Sequence, residues 1–575
     1  MPTKRKSDSN IHIVRALSSH GTVNKRGRTA NRKVAALLTL FALVMLTFVA
    51  VSDNTISSAA DTDPGTGLVY YTAGTNATIT GWNRDGGDLT IPDKLNGKNV
   101  TKINDDAFKN RKLTSVKFDC TRLTTISKNA FSNTEIAEIT IPDSIKSLGS
   151  GVFADCTSLK TVTFPSNATP EFKAINSSTF KNTALTSIVI PDYIESIGLN
   201  AFENCTHLNS ISFGADSKLT TISGSAFKNT GLSSASLPKK LTSIGPSAFI
   251  DCRSLSEVTF ADDSALKTIG ISAFSNTALR SITIPDSVTS IDDNSFLDCV
   301  YLKAVTFGNS PVLTRIGNNA FKGSAIERIT IPSSIETIGY SAFENCRSLN
   351  NVTLNTTSAN FKTIEKNVFR NTSITSIAIP ATVTTIGEYA FDNCIGLKTV
   401  TFNTNSKLET IGSSAFRWTA IKDIQIPGSV TGIMDGAFEF CCPNETTADV
   451  FEVTFGQNSN LKTIGSSAFR SSYLSGINVP DNVETIGEDA FSGCSELSQV
   501  TFGVNSKLKK ISDYAFEGCS ELTKFEIPKS VTEIGKNPFI FKSGTFTLTV
   551  ADGSSSFVVD GDVLYDTATT EIYTY

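Results

Sequence analysis

Histidine, tryptophan and methionine are nearly missing from this chain, with 3 His, 2 Trp and 3 Met in 575 residues. His12 and His20 sit in a basic tail ahead of an apolar stretch, which leaves His207 alone in the remainder. A histidine-based triad, a multi-histidine zinc centre and a histidine acid–base pair are therefore all but excluded by counting. Gly-rich phosphate loops, Gly-x-Ser-x-Gly elbows and carboxylates clustered beside a nucleophile are not apparent either. No catalytic residue, metal or cofactor is expected, and the chain does not read as an enzyme. Charged residues are also scarce at 18%, whereas phenylalanine occurs 37 times. Such a skew comes from copying a short unit many times, so one domain per ~150 residues is the wrong expectation here.

Charge divides sharply along the chain. Residues 1–33 carry nine Lys/Arg and one acid, Asp8, for a formal +8, while the other 542 residues carry −12. A mildly acidic body offers no electrostatic footprint for DNA or RNA, so no nucleic-acid partner is expected. Directly after the tail, Val34–Val51 holds no charge and only Thr39 and Thr47 as polar interruptions. Its length lies between the ~7–15 residues of a signal-peptide core and the ~20 of a spanning helix. Cleavage after Ser52 or Ala60 satisfies the small-residue rule; uncleaved, the segment is a single anchor with its basic side in the cytoplasm. Both readings export everything after about residue 52, and the membrane is met only through Val34–Val51 if it stays uncleaved.

A phenylalanine, usually in an Ala-Phe pair, recurs at nineteen positions from Phe108 to Phe539. From Phe180 to Phe438 the spacing alternates between 22 and 25 or 26, a longer period of about 47 residues. One unit reads Ile284-Pro-Asp-Ser-Val-Thr-Ser-Ile-Asp-Asp-Asn-Ser-Phe-Leu-Asp-Cys299, followed by Leu302-Lys-Ala-Val-Thr-Phe307. The second piece alternates apolar and polar residues with β-branched enrichment, which predicts a strand. Val288, Ile291 and Phe296 are too few for an independent core, so each unit has to stack on its neighbours. Stacked one strand per unit at ~4.8 Å per rung, the units make a parallel sheet whose nineteen rungs span roughly 90 Å. A period of 22–25 falls in the leucine-rich-repeat range.

Ile331-Pro-Ser-Ser-Ile-Glu-Thr-Ile-Gly-Tyr-Ser-Ala-Phe343-Glu-Asn-Cys346 and its sister copies resemble the BspA-type (treponemal-type) leucine-rich repeat of microbial surface proteins. The similarity runs over about residues 67–540. It implies a β-rich α/β solenoid, a right-handed leucine-rich-repeat array of about 19 units with one long parallel sheet and terminal β-hairpins. The expected organisation is a basic tail (1–33), signal or anchor (34–51), linker (52–66), capping hairpin (67–100), repeats (101–542) and a C-terminal hairpin cap (543–575). Members of the family are implied to be secreted or surface-exposed proteins of adhesion and matrix binding, usually without catalysis.

Eleven cysteines in an exported chain invite a disulfide framework. Nine of them, however, stand three residues after the repeat phenylalanine, where alternate units carry Thr or Ser. Successive ones are then two rungs apart, roughly 9–10 Å, beyond the ~7 Å limit for a bridge, and are expected to be free buried thiols. Only Cys494 with Cys519 and Cys441 with Cys442 come close enough for oxidation.

Within each strand, the residue between the last two apolar positions points away from the core. In ten of eighteen strands it is threonine, including Thr259, Thr283, Thr306, Thr330, Thr353 and Thr401. The row two residues earlier is mixed and includes Arg328 and Asn351. Threonine is the residue a wet strand favours in any case, and the same row also makes a flat hydroxyl surface suited to a glycan, a matrix protein or another sheet. A rival contact site is the insertion Pro443-Asn444-Glu445 through Asp449, because the Phe438–Phe469 gap is 31 where 25 is usual. Trp82 and Trp418 could stack on sugars, but a packed or solvated indole accounts for them equally. Two functions of different class remain: a non-enzymatic extracellular adhesion or recognition protein with a protein or glycan ligand, and a purely structural surface-layer spacer. An enzyme with an unrecognised site is the third and weakest reading.

Overall fold

β-Branched residues at every second position, as in Ser281-Ile-Thr-Ile284, suit a pleated strand that is buried on one face only. In the computed structural model Ser281–Ile284 buries Ile282 and Ile284 and exposes Ser281 and Thr283. Residues 59–166, 171–442, 450–540, 546–561, 563–568 and 572–573 are described. The chain divides into two units, Met1–Ser58 and Ala59–Tyr575, and every described residue lies in the second. The tail and Val34–Val51 fall outside the described residues. Among those described, no helix is long and apolar enough to cross a membrane.

Ala59–Tyr575 is a parallel β-solenoid. Leu68–Ala73 and Asn76–Trp82 open it as an antiparallel hairpin, and Asn76–Trp82 then pairs in parallel with Lys98–Ile103. At the far end, Thr547–Val550 closes the parallel series on Lys524–Ile527, and Phe557–Asp560 with Val563–Asp566 forms an antiparallel hairpin.

Two expectations are corrected. One long sheet was expected, but each turn of the coil contributes to two ladders. The four-residue strand is followed by a two-residue strand, as Ser281–Ile284 is by Ser290–Ile291. The short strands pair continuously from Ala174–Ile175 to Thr337–Ile338 and again from Thr363–Ile364 to Glu533–Ile534. The long strands pair in blocks. The α part of the α/β expectation also fails, since the described residues contain no helix. The reason lies beside each phenylalanine. Asn294 and Asp298 flank Phe296 at φ 59° and 55°, and Ser272 and Asn276 flank Phe274 at 55° and 59°. A left-handed residue two positions either side of the ring stops helix propagation and folds the segment into tight turns instead. It also explains the recurring Asn, Asp and Gly at these places, which tolerate that conformation best.

The block structure of the long strands follows from proline. Ser281–Ile284 pairs with Ala304–Phe307 over all four residues, and the Gly308 N–H then donates to the Ile284 carbonyl at 3.1 Å. At the next interface the equivalent donor is Pro332, which has no N–H. Ala304–Phe307 accordingly meets Arg328–Ile331 only at Ala304 and Arg328. Thr399–Phe402 meets Asp423–Ile426 only at Thr399 and Asp423, where Pro427 stands in the same place. The 47-residue period is thus a sheet that closes at one interface and splays at the next.

Inside the coil the repeat phenylalanines form one stack. Ring centroids of neighbours lie 5.0–5.8 Å apart from Phe108 to Phe539. Gly339 shows how closely rungs approach: a Cβ there would lie 2.6 Å from the Asn318 nitrogen.

All eleven cysteines are free and buried. Eight of the ladder thiols lie 3.2–3.5 Å from a Thr or Ser hydroxyl of the preceding turn. Cys299 donates to the Phe274 carbonyl at 3.1 Å, beside the Thr277 hydroxyl that donates to the same oxygen. Burial pushes the Cys252 and Cys299 thiols up to about 11 and Cys346 and Cys394 up to about 12. With thiolate suppressed and access closed, Cys156 through Cys394 are expected to resist alkylation at pH 8 until the chain is unfolded. Mass-spectrometric detection of a native disulfide between any two of them contradicts this geometry.

Candidate functional site: the exposed sheet face

The outward row of the long strands is mostly polar, broken by Val189 and Ala378, and is not continuous in its pairing. Thr259, Thr283, Thr306, Thr330, Thr353 and Thr401 are all solvent-exposed, as are Arg328 and Asn351. Register places Thr283 beside Thr306, Thr330 beside Thr353 and Arg328 beside Asn351. The Thr283 and Thr306 hydroxyls are 2.8 Å apart, and Thr259 donates to Ser236 at 3.2 Å. The structure therefore brings the sheet candidates onto one face, in two rows. Pro443, Asn444 and Glu445 lie outside the described residues.

Where the sheet splays, the face is grooved. Thr306, Thr330 and Arg328 line a groove of ≈ 630 Å³ whose apolar part is Phe307, Pro311 and Pro332. Phe307 is half-buried because the strand beyond it has swung away. Farther along, the row changes. After Thr401 it continues Gln425, Thr454, Asn478, Thr501 and Glu526, so longer polar side chains alternate with threonine. Sequence reading counted only the threonines and passed over this change, although it is visible one position ahead of each Ile-Pro or Val-Pro.

The opposite side carries features that sequence reading also missed. In two runs of consecutive turns, Lys181 to Lys228 and Lys322 to Arg470, the residue after the repeat phenylalanine forms a column of alternating charge. Lys181 and Lys228 both reach Glu203, at 2.9 and 3.7 Å. Lys322, Glu344, Arg370, Asp392 and Arg417 continue the pattern, with Asp392 only 1% exposed and each arginine Nε at 2.9 Å from it. Both guanidiniums also sit 5.4 Å from the Tyr389 ring centre. Reading across units at Phe+1, rather than along the chain, reveals the column. Trp418 is 39% exposed and stacks on Phe440 at 4.3 Å. Trp82 is buried and its indole N–H donates to the Thr66 carbonyl, so it offers no sugar platform.

Among the described residues no group of His, Cys, Asp and Glu is placed to hold a metal. The repeat matches the family described as BspA type leucine rich repeat region, in six copies over residues 88–171, 173–303, 314–445 and 450–556. The chain belongs to this family. Among solved structures, this BspA-type array is similar to a leucine-rich repeat protein from Bacteroides ovatus, 22% identical over 84% of this chain and 98% of that one, with a TM-score of 0.44. It is also similar to a leucine rich cell surface protein from Faecalibacterium prausnitzii, 24% identical over 78% and 95%, TM-score 0.33. The pneumococcal vaccine antigen PcpA is 16% identical over 86% and 99%, TM-score 0.33. No curated protein matches. The BspA-type match points to a repeat protein with a surface or protein-interaction role and indicates no catalytic family.

Proposed function

We propose that this protein is exported and recognises an extracellular protein or glycan through the exposed face of its long-strand sheet. The observation that carries the reading is the juxtaposition of two outward polar rows with a groove at Thr306, Arg328 and Thr330. A surface needed only as a spacer does not require a groove that sets a half-buried phenylalanine among polar side chains. The basic tail and Val34–Val51 support export, with the array either released or anchored at the cell surface.

A panel of matrix proteins and glycans, presented to the intact chain, tests this directly. Saturable binding is expected. Thr283→Lys with Thr306→Lys and Thr330→Lys should reduce binding of a ligand that crosses mid-array, while circular dichroism shows the fold intact, because exposed substitutions usually cost less than ~0.5 kcal/mol each. Loss only on deleting Pro443–Asp449 moves the site to the insertion. No binding to any member of the panel, or recovery of the intact chain from the cytoplasm, overturns the proposal in favour of a spacer or an internal role.

A further inference from the structure

The splayed interfaces of the C-terminal half run together. A groove of ≈ 920 Å³ lies between Thr399–Phe402 and Asp423–Ile426, one of ≈ 780 Å³ between Phe451–Phe455 and Leu474–Val479, and one of ≈ 590 Å³ between Gln499–Phe502 and Lys524–Ile527. The first two share Gly456 and the second and third share Gly503, so they form one trough across three two-turn periods. Each period is two rungs, about 10 Å.

The lining has a consistent chemistry. Half-buried Phe402, Phe455 and Phe502 each contribute to a groove, one per period. Around them stand side-chain amides, among them Asn403, Gln425, Gln457, Asn478 and Asn505. An amide presents an acceptor and donors side by side, which suits neighbouring hydroxyls that each both give and accept a hydrogen bond. A half-exposed ring offers an apolar surface for the C–H face of a sugar. Formal charge along the trough is nearly balanced, with Asp423, Asp481, Glu526 and Asp552 against Lys507, Lys524 and Lys529. That balance disfavours a polyanion, and the shortage of large apolar anchors disfavours the core of a protein interface.

We infer that this trough binds a neutral, linear, extended polysaccharide lying along the solenoid axis, with one disaccharide of the chain per two-rung period. The register is set by proline: each missing N–H opens one interface in two, and alternate sugars of an extended β-linked chain present the same face at the same interval. The inference rests on the recognition reading above and names a ligand class and a second place on the same sheet face.

The test is calorimetry of the full chain with neutral β-linked gluco-, manno- and N-acetylglucosamine oligomers of increasing length, with uronic-acid oligomers as the anionic comparison. Affinity for one neutral series is expected to rise up to about six sugars, the span of three two-rung periods, and then level off. Gln425→Ala with Asn478→Ala should weaken it about tenfold through loss of hydrogen bonds, with melting temperature unchanged because both side chains are exposed. Neutral binding that is indifferent to Gln425→Ala with Asn478→Ala overturns the trough as the site, and tighter binding of the uronic series overturns the ligand class. No oligomer binding, with retained binding to matrix protein, overturns this inference alone; no binding to anything overturns the recognition reading with it.

Discussion

Phe296→Ala is expected to destabilise its neighbourhood by about 3–5 kcal/mol, the range for truncating a buried aromatic ring. Phe296 is fully buried and lies in the stack 5.5 Å from Phe274 and 5.1 Å from Phe321. Alanine removes ring contacts on both sides and leaves a void bounded by two further rings, which cannot close it without breaking their own stacking. Because the array is built from nearest-neighbour contacts, the damage should concentrate in the adjacent turns. Hydrogen exchange is the suitable measurement, since a single unfolding free energy is poorly defined for a long repeat array. Protection should fall most between residues 268 and 331 and recover with distance along the coil. Uniform loss from residue 108 to 539 contradicts a nearest-neighbour solenoid. Phe296→Leu, which retains most of the apolar volume, should cost much less.

The same stack explains why so much of this fold is legible in sequence. A residue that must repeat at every rung announces itself by period, and the nineteen phenylalanines gave both the unit and its number. The cysteines were legible for the same reason: their place three residues after the ring, exchanged with Thr277 or Thr183, identified a small polar pocket rather than a bridge. What escaped notice is shorter than a periodicity can register. Ser290–Ile291 is a two-residue strand and carries no alternation of its own. The helix implied by family resemblance gave way to turns because Asn294 and Asp298 are left-handed, a property that their identities permit but do not force. The site was partly legible. Alternation placed Thr283 and Thr306 outward correctly, whereas the splaying of the sheet depends on which neighbour lacks a donor at Pro332, and that appears only when consecutive turns are laid side by side.

Comparison across turns also identifies a buried carboxylate held between two arginines, Asp392. Asp392→Ala is expected to cost about 2–4 kcal/mol locally. Removing one partner of a buried ion pair usually costs about 3–5 kcal/mol, and the lower range applies here because the Arg370 and Arg417 side chains remain 35% and 29% exposed and reach water. Asp392 accepts from both Nε atoms at 2.9 Å, one on each carboxylate oxygen. Its hydrogen bond holds Arg417 still more firmly in the charged form. Without the carboxylate, two guanidiniums remain beside the Tyr389 ring without their shared partner, and Arg370 keeps the more distant Glu344, at 3.9 Å. Asp392→Asn retains one acceptor and should cost less. Replacing all three charges together, Arg370→Met with Asp392→Leu and Arg417→Met, should recover most of the loss, since a buried ionic triad exchanged for apolar side chains is often neutral or stabilising. Local hydrogen exchange across residues 369–419 reads the outcome in each variant. If the single and triple variants are equally damaged, the column holds the turn through packing of the side-chain stems, and its alternation of charge contributes nothing to stability.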